Sequence, residues 1–147
     1  MSNNLPLVSI SCITYNHADY IRHCLDGFLM QKTSFLYEIV IHDDASTDDT
    51  QKILEEYGEK YPEKVRLIIQ KENQYSKGIK SIIASFMLNE ARGKYLAICE
   101  GDDVQLTNGV IIETHHHTFH SNYQASRADI RPSTLNIGGG LLLVREQ

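Results

Sequence analysis

The spacing of apolar residues alternates regularly along this chain between two periods. Residues 7–13 (LVSISCI) form a short, β-branched, nearly continuous apolar run, which predicts a strand covered on both faces. Residues 19–31 then place Ile21, Cys24, Leu25, Phe28 and Leu29 at i, i+3, i+4, i+7 and i+8, a helix with one buried face. Residues 37–41 (YEIVI) predict a second strand. Residues 46–61 predict a second helix with Ile53, Leu54, Tyr57 and Tyr61 on one side. Ser46 is its candidate cap, with Asp49 three residues on, and Pro62 stops it. A third strand is expected at 65–69 (VRLII) and a third helix at 78–91, where Ile79, Ile82, Ile83, Phe86 and Met87 repeat the helical spacing. Gly93 is the candidate C-terminal cap, and 95–99 (YLAIC) is a fourth strand. The order β-α-β-α-β-α-β predicts an α/β domain: an open, mostly parallel sheet with right-handed crossovers and helices on both faces.

After Asp103 the alternation fails. Residues 105–108 read as a turn, 110–114 as a short strand, 115–131 as polar with weak helical character, 132–140 as loop and 141–144 as a last strand. A boundary is expected near Asp103, dividing the chain into 5–103 and 104–147.

Composition narrows the function classes. Hydrophobic residues make up 41% and charged residues 22% of 147, a globular balance. The net charge of −5 argues against a nucleic-acid partner held by phosphate neutralisation. It leaves room for a phosphate ligand, because a bound cation reverses the local sign. Cys12, Cys24 and Cys99 each sit in an apolar stretch, with no C-x-x-C, so buried free thiols in a reducing compartment are expected. No apolar run approaches the roughly 20 residues of a membrane helix. No basic segment followed by an apolar one opens the chain, so a secretory signal is not expected and a cytoplasmic location is.

In an open parallel sheet, ligands bind beyond the carboxyl ends of the strands. The chemistry-bearing residues fall there. The first strand runs into Thr14-Tyr15-Asn16, the second into His42-Asp43-Asp44-Ala45-Ser46, and the fourth into Glu100-Gly101-Asp102-Asp103. Two acidic clusters on one rim repel unless a cation lies between them. Oxygen ligands suit Mg²⁺ or Mn²⁺ bound by one or two carboxylates and by substrate phosphate. Gly101 is expected to let the backbone turn tightly there. Asp48 and Asp49 read instead as helix-start residues. Tyr15 at a crevice offers a ring to a ligand, against the alternative of a packed ring with a wet hydroxyl. His42 beside Asp43 reads as a hydrogen-bonded strand-end histidine rather than an acid/base pair.

Together, VSISCITYN (8–16), EIVIHDDASTDDT (38–50) and ARGKYLAICEGDD (91–103) resemble the first half of a family 2 glycosyltransferase with the GT-A fold. The resemblance covers about residues 7–103. It implies a GT-A, Rossmann-like domain over 5–103, the nucleotide-sugar-binding half, with its C-terminal part incomplete. It implies transfer of a sugar from a nucleotide-diphospho-sugar donor to an acceptor hydroxyl, in cell-surface polysaccharide biosynthesis. Thr14 and Tyr15 would flank the base, with Asn16 in the nucleotide site, and Asp44 would accept a hydrogen bond from the base edge. Asp102 and Asp103 would be the D-x-D-type acids on ribose and on Mn²⁺ or Mg²⁺, Asp103 being the direct ligand. Lys71, Asn73 and Lys77 would help line the donor pocket, against the preferred alternative of a solvated loop for the two lysines. A sugar or lipid-linked acceptor, association with the inner face of a membrane and a homodimer are further partners on this reading.

The chain departs from the family after Asp103. Val104-Gln105-Leu106-Thr107 stands where Tyr-Trp is common, and Glu113, Asp129 and Glu146 offer no assignable catalytic base. A truncated or frame-disrupted ending is the expectation for 104–147. The histidines at 115–117 and His120 read as fortuitous, and Gly138–Gly140 as a flexible link. Two other readings remain: a non-catalytic nucleotide-sugar-binding module and, more distantly, a Mg²⁺-dependent phosphoacceptor domain.

Overall fold

The computed structural model describes residues 4–31, 33, 35–102, 104–106 and 110–112. Four parallel strands form the sheet in the order β3-β2-β1-β4: β1 Val8–Thr14, β2 Tyr37–Asp43, β3 Val65–Ile69 and β4 Tyr95–Glu100. The register sets Thr14 beside Asp43, Asp43 beside Ile69, and Ile13 beside Glu100. All four carboxyl ends therefore reach one rim. The strand order reverses direction between β1 and β4, so the loops leaving these neighbours part and open a crevice.

Side-chain alternation explains the layers. Val8, Ile10 and Cys12 of β1 point with Tyr37, Ile39 and Ile41 of β2 to one face. There α1 (Ile21–Leu29) buries Ile21, Cys24, Leu25 and Phe28, and α2 (Thr50–Lys60) buries Ile53 and Leu54. Val40 and Ile98 point to the other face, under Ile83 and Met87. The open parallel sheet with helical cover on both faces is the predicted architecture. Cys12, Cys24 and Cys99 are buried and form no disulfide, as their apolar contexts imply.

Four local expectations are corrected. First, α2 begins at Thr50, not Ser46, because the Ser46 hydroxyl is held by Asp43 and Asn16 and cannot cap a helix. Second, the third helix, expected over 78–91, is one π-helical turn, Ile83–Met87, closed by Leu88 N–H to the Ile83 carbonyl at 3.0 Å. The apolar spacing found its buried face and not its length. Third, Gly93 does not cap a helix. A β-carbon there would lie 2.5 Å from Ser9 N, so the requirement is close approach to β1. Fourth, Gln105 belongs to a short strand β5 (Val104–Leu106), antiparallel to β6 (Val110–Ile112), rather than to a turn. The features placed beyond residue 112, the histidine cluster included, lie outside the described residues.

At the amino end of the sheet, Glu38 is 1% exposed. It accepts Ser9 Oγ at 2.6 Å, Arg92 N–H at 2.6 Å and Arg92 Nε at 2.8 Å, while Gly93 N–H donates to Ser9 Oγ at 2.8 Å. Burial pushes the Glu38 carboxyl up, but the bonds from Ser9 and Arg92 outweigh it and hold the group below its ordinary value. This network fixes the turn that leads into β4.

Candidate functional site

The crevice at the β1–β4 divergence holds a cavity of about 580 Å³, lined by Thr14, Tyr15, His17, Asp44, Tyr75 and Glu100 among others. Thr14 ends β1 and is buried, and its Oγ1 lies 3.0 Å from His17 Nδ1. His17 Nε2 lies 4.0 Å from Asp102 Oδ2. Gly101 makes this approach possible: a β-carbon there would sit 2.6 Å from Thr14 Oγ1 and 2.8 Å from His17 Nδ1. Its N–H donates to the Ile13 carbonyl at 2.9 Å, tying the turn after β4 to β1. Gly101 has no positive φ, so the expected need for a glycine-only turn is replaced by a need for space.

The structure sorts the sequence-derived site residues. Thr14 and Tyr15 line the cavity, and Tyr15 keeps 44% of its surface exposed. Asp44 also lines it, yet its carboxylate accepts the N–H groups of Gln74 at 2.7 Å and Tyr75 at 3.0 Å. One lone pair remains on each oxygen, but the principal partner of Asp44 is the loop after β3. Asn16 is corrected. Its backbone is left-handed (φ 53°) and its Oδ1 accepts Thr47 N–H at 2.7 Å. With Asn16 N–H donating to Ser46 Oγ at 2.8 Å, it clasps the β1 and β2 loops together and does not face the cavity. Asp102 is 5% exposed and stands behind His17 rather than in the wall. Asp103 lies outside the described residues.

The other acids of the second cluster are satisfied by the chain itself. Asp43 accepts Ser46 N–H at 3.0 Å and Gln51 Nε2 at 2.8 Å. Asp48 accepts Thr50 N–H at 3.0 Å and Ala18 N–H at 3.1 Å. Desolvation raises the Asp48 carboxyl, and the Thr50 and Ala18 bonds outweigh it and hold the group low. His42 stacks on Phe86 (centroids 5.3 Å apart) with Nε2 at 3.2 Å from the Gln70 amide. Burial lowers its pKa despite Asp44 and Asp43, so it stays neutral and hydrogen-bonded, as read.

Sequence reasoning missed His17 and Tyr75. His17 carried a signal in its place three residues after Thr14; Tyr75 carried none.

Residues 9–130 match the family described as glycosyl transferase family 2. The chain belongs to that family. An uncharacterized protein of Mycobacterium tuberculosis (strain H37Rv) is 47% identical over 98 residues, 65% of this chain and 27% of its own length. The putative teichuronic acid biosynthesis glycosyltransferase TuaG of Bacillus subtilis is 35% identical, over 70% of this chain and 38% of its own. The Escherichia coli chondroitin synthase is 40% identical, over 67% and 13%. The family 2 chain thus matches well under half the length of each of these relatives. Among solved structures, S. aureus TarS 1-349 in complex with UDP superposes with a TM-score of 0.54 at 28% identity, covering 66% of this chain and 28% of that one. The mannosyltransferase PcManGT from Pyrobaculum calidifontis, in complex with GDP-Man and Mn²⁺, gives 0.54 at 25%, covering 68% and 28%. The fold of the family 2 chain is GT-A: an open parallel Rossmann-like sheet with the crevice at the ends of β1 and β4.

Proposed function

We propose that this crevice binds a nucleotide-diphospho-sugar and that the chain serves sugar transfer to an acceptor hydroxyl in polysaccharide biosynthesis. One observation carries the reading: the cavity lies where the strand order reverses, with an exposed tyrosine ring leaving β1 and carboxylates leaving β4. The nucleotide ligands named for TarS and PcManGT, and the polysaccharide roles named for TuaG and chondroitin synthase, support it.

The donor set fits a hard divalent cation. Asp102 is a buried carboxylate on the turn after β4, and Glu100 lines the cavity beside it. Among the described residues, no three His, Cys, Asp or Glu side chains are grouped to hold a metal by themselves. That suits Mg²⁺ or Mn²⁺, which takes one or two carboxylates and completes its shell from phosphate and water. Asp102 and Asp103 would hold it, and the bound ion would offset charge on the departing nucleoside diphosphate. Tyr15 would stack on the base, and Thr14 with His17 would wall the ribose side. A cytoplasmic setting belongs to this reading, supported by three buried cysteines that form no disulfide.

Calorimetry with UDP and GDP, with and without Mn²⁺, tests it on the full chain and on Asp102→Asn. Tighter binding with Mn²⁺ is expected for the unaltered chain and loss of the metal effect for the variant. If neither nucleotide binds more tightly with metal, the reading fails. Binding without any donor hydrolysis or transfer would leave the chain a nucleotide-sugar-binding module.

A further inference from the structure

Two tyrosine rings stand in the wall of the cavity, Tyr15 at 44% and Tyr75 at 63% exposure. They come from different loops, one leaving β1 and one following β3. A single exposed tyrosine needs no explanation. What sets Tyr75 apart is the bonding beneath it. Asp44 is 3% exposed, and its two carboxylate oxygens accept the N–H groups of Gln74 and of Tyr75 itself. Asn73 Nδ2 donates to the Asp44 carbonyl at 3.1 Å, and Asn73 Oδ1 accepts Ser76 N–H at 2.8 Å. Gln70 N–H donates to the Asp43 carbonyl at 2.9 Å.

A buried ionised carboxylate is unfavourable unless donors satisfy it. Here the donors belong to a stretch of backbone that carries an exposed ring. The residue after Asp44, Ala45, adopts a left-handed φ of 61°, a conformation that costs a β-carbon-bearing residue about 1–2 kcal/mol. A polar surface loop gains nothing from buried charge and backbone strain. A ring that must be held ready for a ligand does, because preorganisation reduces the entropy lost on binding. Aromatic platforms stack on any nucleobase.

We infer that Tyr75 is a second aromatic platform for the nucleobase, beside Tyr15, and that Asp44 is its positioning residue, acting through the backbone of Gln74 and Tyr75. The inference rests on the nucleotide-sugar reading of the cavity.

UDP, GDP and inorganic pyrophosphate, each with Mn²⁺, are titrated calorimetrically into the full chain and into Tyr75→Ala, Tyr75→Phe, Asp44→Asn and the Asp44→Asn/Tyr75→Ala double variant. The chain has eight tyrosines and no tryptophan, so quenching of tyrosine emission reports ring–base contact. Loss of one base stack lowers affinity about tenfold. Tyr75→Ala is therefore expected to weaken the better nucleotide by that factor and reduce the quenching, with pyrophosphate unchanged. Tyr75→Phe keeps the ring and most of the affinity. Asp44→Asn weakens nucleotide binding, and the double variant is no weaker than the weaker single one, since both changes remove the same stack. Additive losses would overturn the positioning role. A chain that binds UDP or GDP equally well with and without the Tyr75 ring overturns the inference alone. A chain that binds neither nucleotide overturns the assignment of the cavity, and the inference with it.

Discussion

Gly101→Ala gives the sharpest test of how the crevice is built. The new β-carbon would lie 2.6 Å from Thr14 Oγ1, about 0.8 Å short of the 3.4 Å at which ordinary contact begins. Rotating the threonine hydroxyl brings no relief, because Thr14 Cβ itself lies 2.9 Å away. Thr14 ends the central strand β1, hydrogen-bonded to β2 and β4, so its backbone cannot give. Overpacking of this kind costs about 1–3 kcal/mol, and for a domain near this size each kcal/mol lowers Tm by about 2–4 °C. A fall of about 2–12 °C is expected in a thermal melt followed by circular dichroism. Gly93→Ala is the control. Its β-carbon would meet Ser9 N at 2.5 Å and Val8 C at 2.7 Å, backbone atoms at the opposite end of the same strand. It should melt at least as early as Gly101→Ala. At a temperature where both variants are folded, only Gly101→Ala should lose Mn²⁺-dependent nucleotide binding, because only it displaces Thr14 and His17. A Gly101→Ala melt within about 2 °C of the unaltered chain would falsify the steric argument. Equal loss of nucleotide binding in both variants would refute its link to the site.

Three other outcomes follow from the geometry. Glu38→Gln should lower stability by roughly 1–3 kcal/mol, less than a fully buried pair loses, because Arg92 remains half exposed and hydrated. The Glu38 carboxyl is held below its ordinary 4.5, so its contribution is complete above that pH and fades as pH falls through the lower folded value. The urea midpoint should therefore drop more steeply with acid in the unaltered chain than in Glu38→Gln, and parallel curves would refute the network. Ala45→Gly should raise Tm slightly, since relief of the left-handed strain of about 1–2 kcal/mol exceeds the 0.5–1 kcal/mol glycine adds through unfolded-state entropy; a lower Tm contradicts the strain. Asn16→Gly should be milder than Asn16→Ala in the same melts, because glycine accepts φ 53° while both lose the bond to Thr47.

The strands were legible because each is a continuous apolar run between loops, and a sheet covered on both faces demands that pattern. The first two helices were legible by spacing, but the third was overextended. Ile82, Ile83 and Met87 are buried as their spacing requires, yet spacing reports the buried face and is silent on pitch and length. Loop chemistry was the least legible part. Asn16 and Asp44 occupy the right loops, but the sequence cannot say whether a side chain turns to a ligand or to a neighbouring N–H. Tyr75 lies in a polar segment with no period, where nothing separates a solvated ring from a presented one.

That loss of legibility changes the electrostatic argument for a metal. From the sequence, two acidic clusters face each other across one rim, and their mutual repulsion asks for a cation between them. In the structure Asp43, Asp44 and Asp48 each draw two or more N–H or O–H donors from their own or neighbouring loops. Their carboxylate oxygens are thus satisfied by donors of the chain itself. The second cluster therefore no longer requires a metal. The case for one narrows to the end of β4, where Glu100 lines the cavity and Asp102 sits behind His17. Asp102→Asn should then alter the Mn²⁺ dependence of nucleotide binding. Asp43→Asn, whose partners are all protein groups, should alter stability and leave that dependence in place.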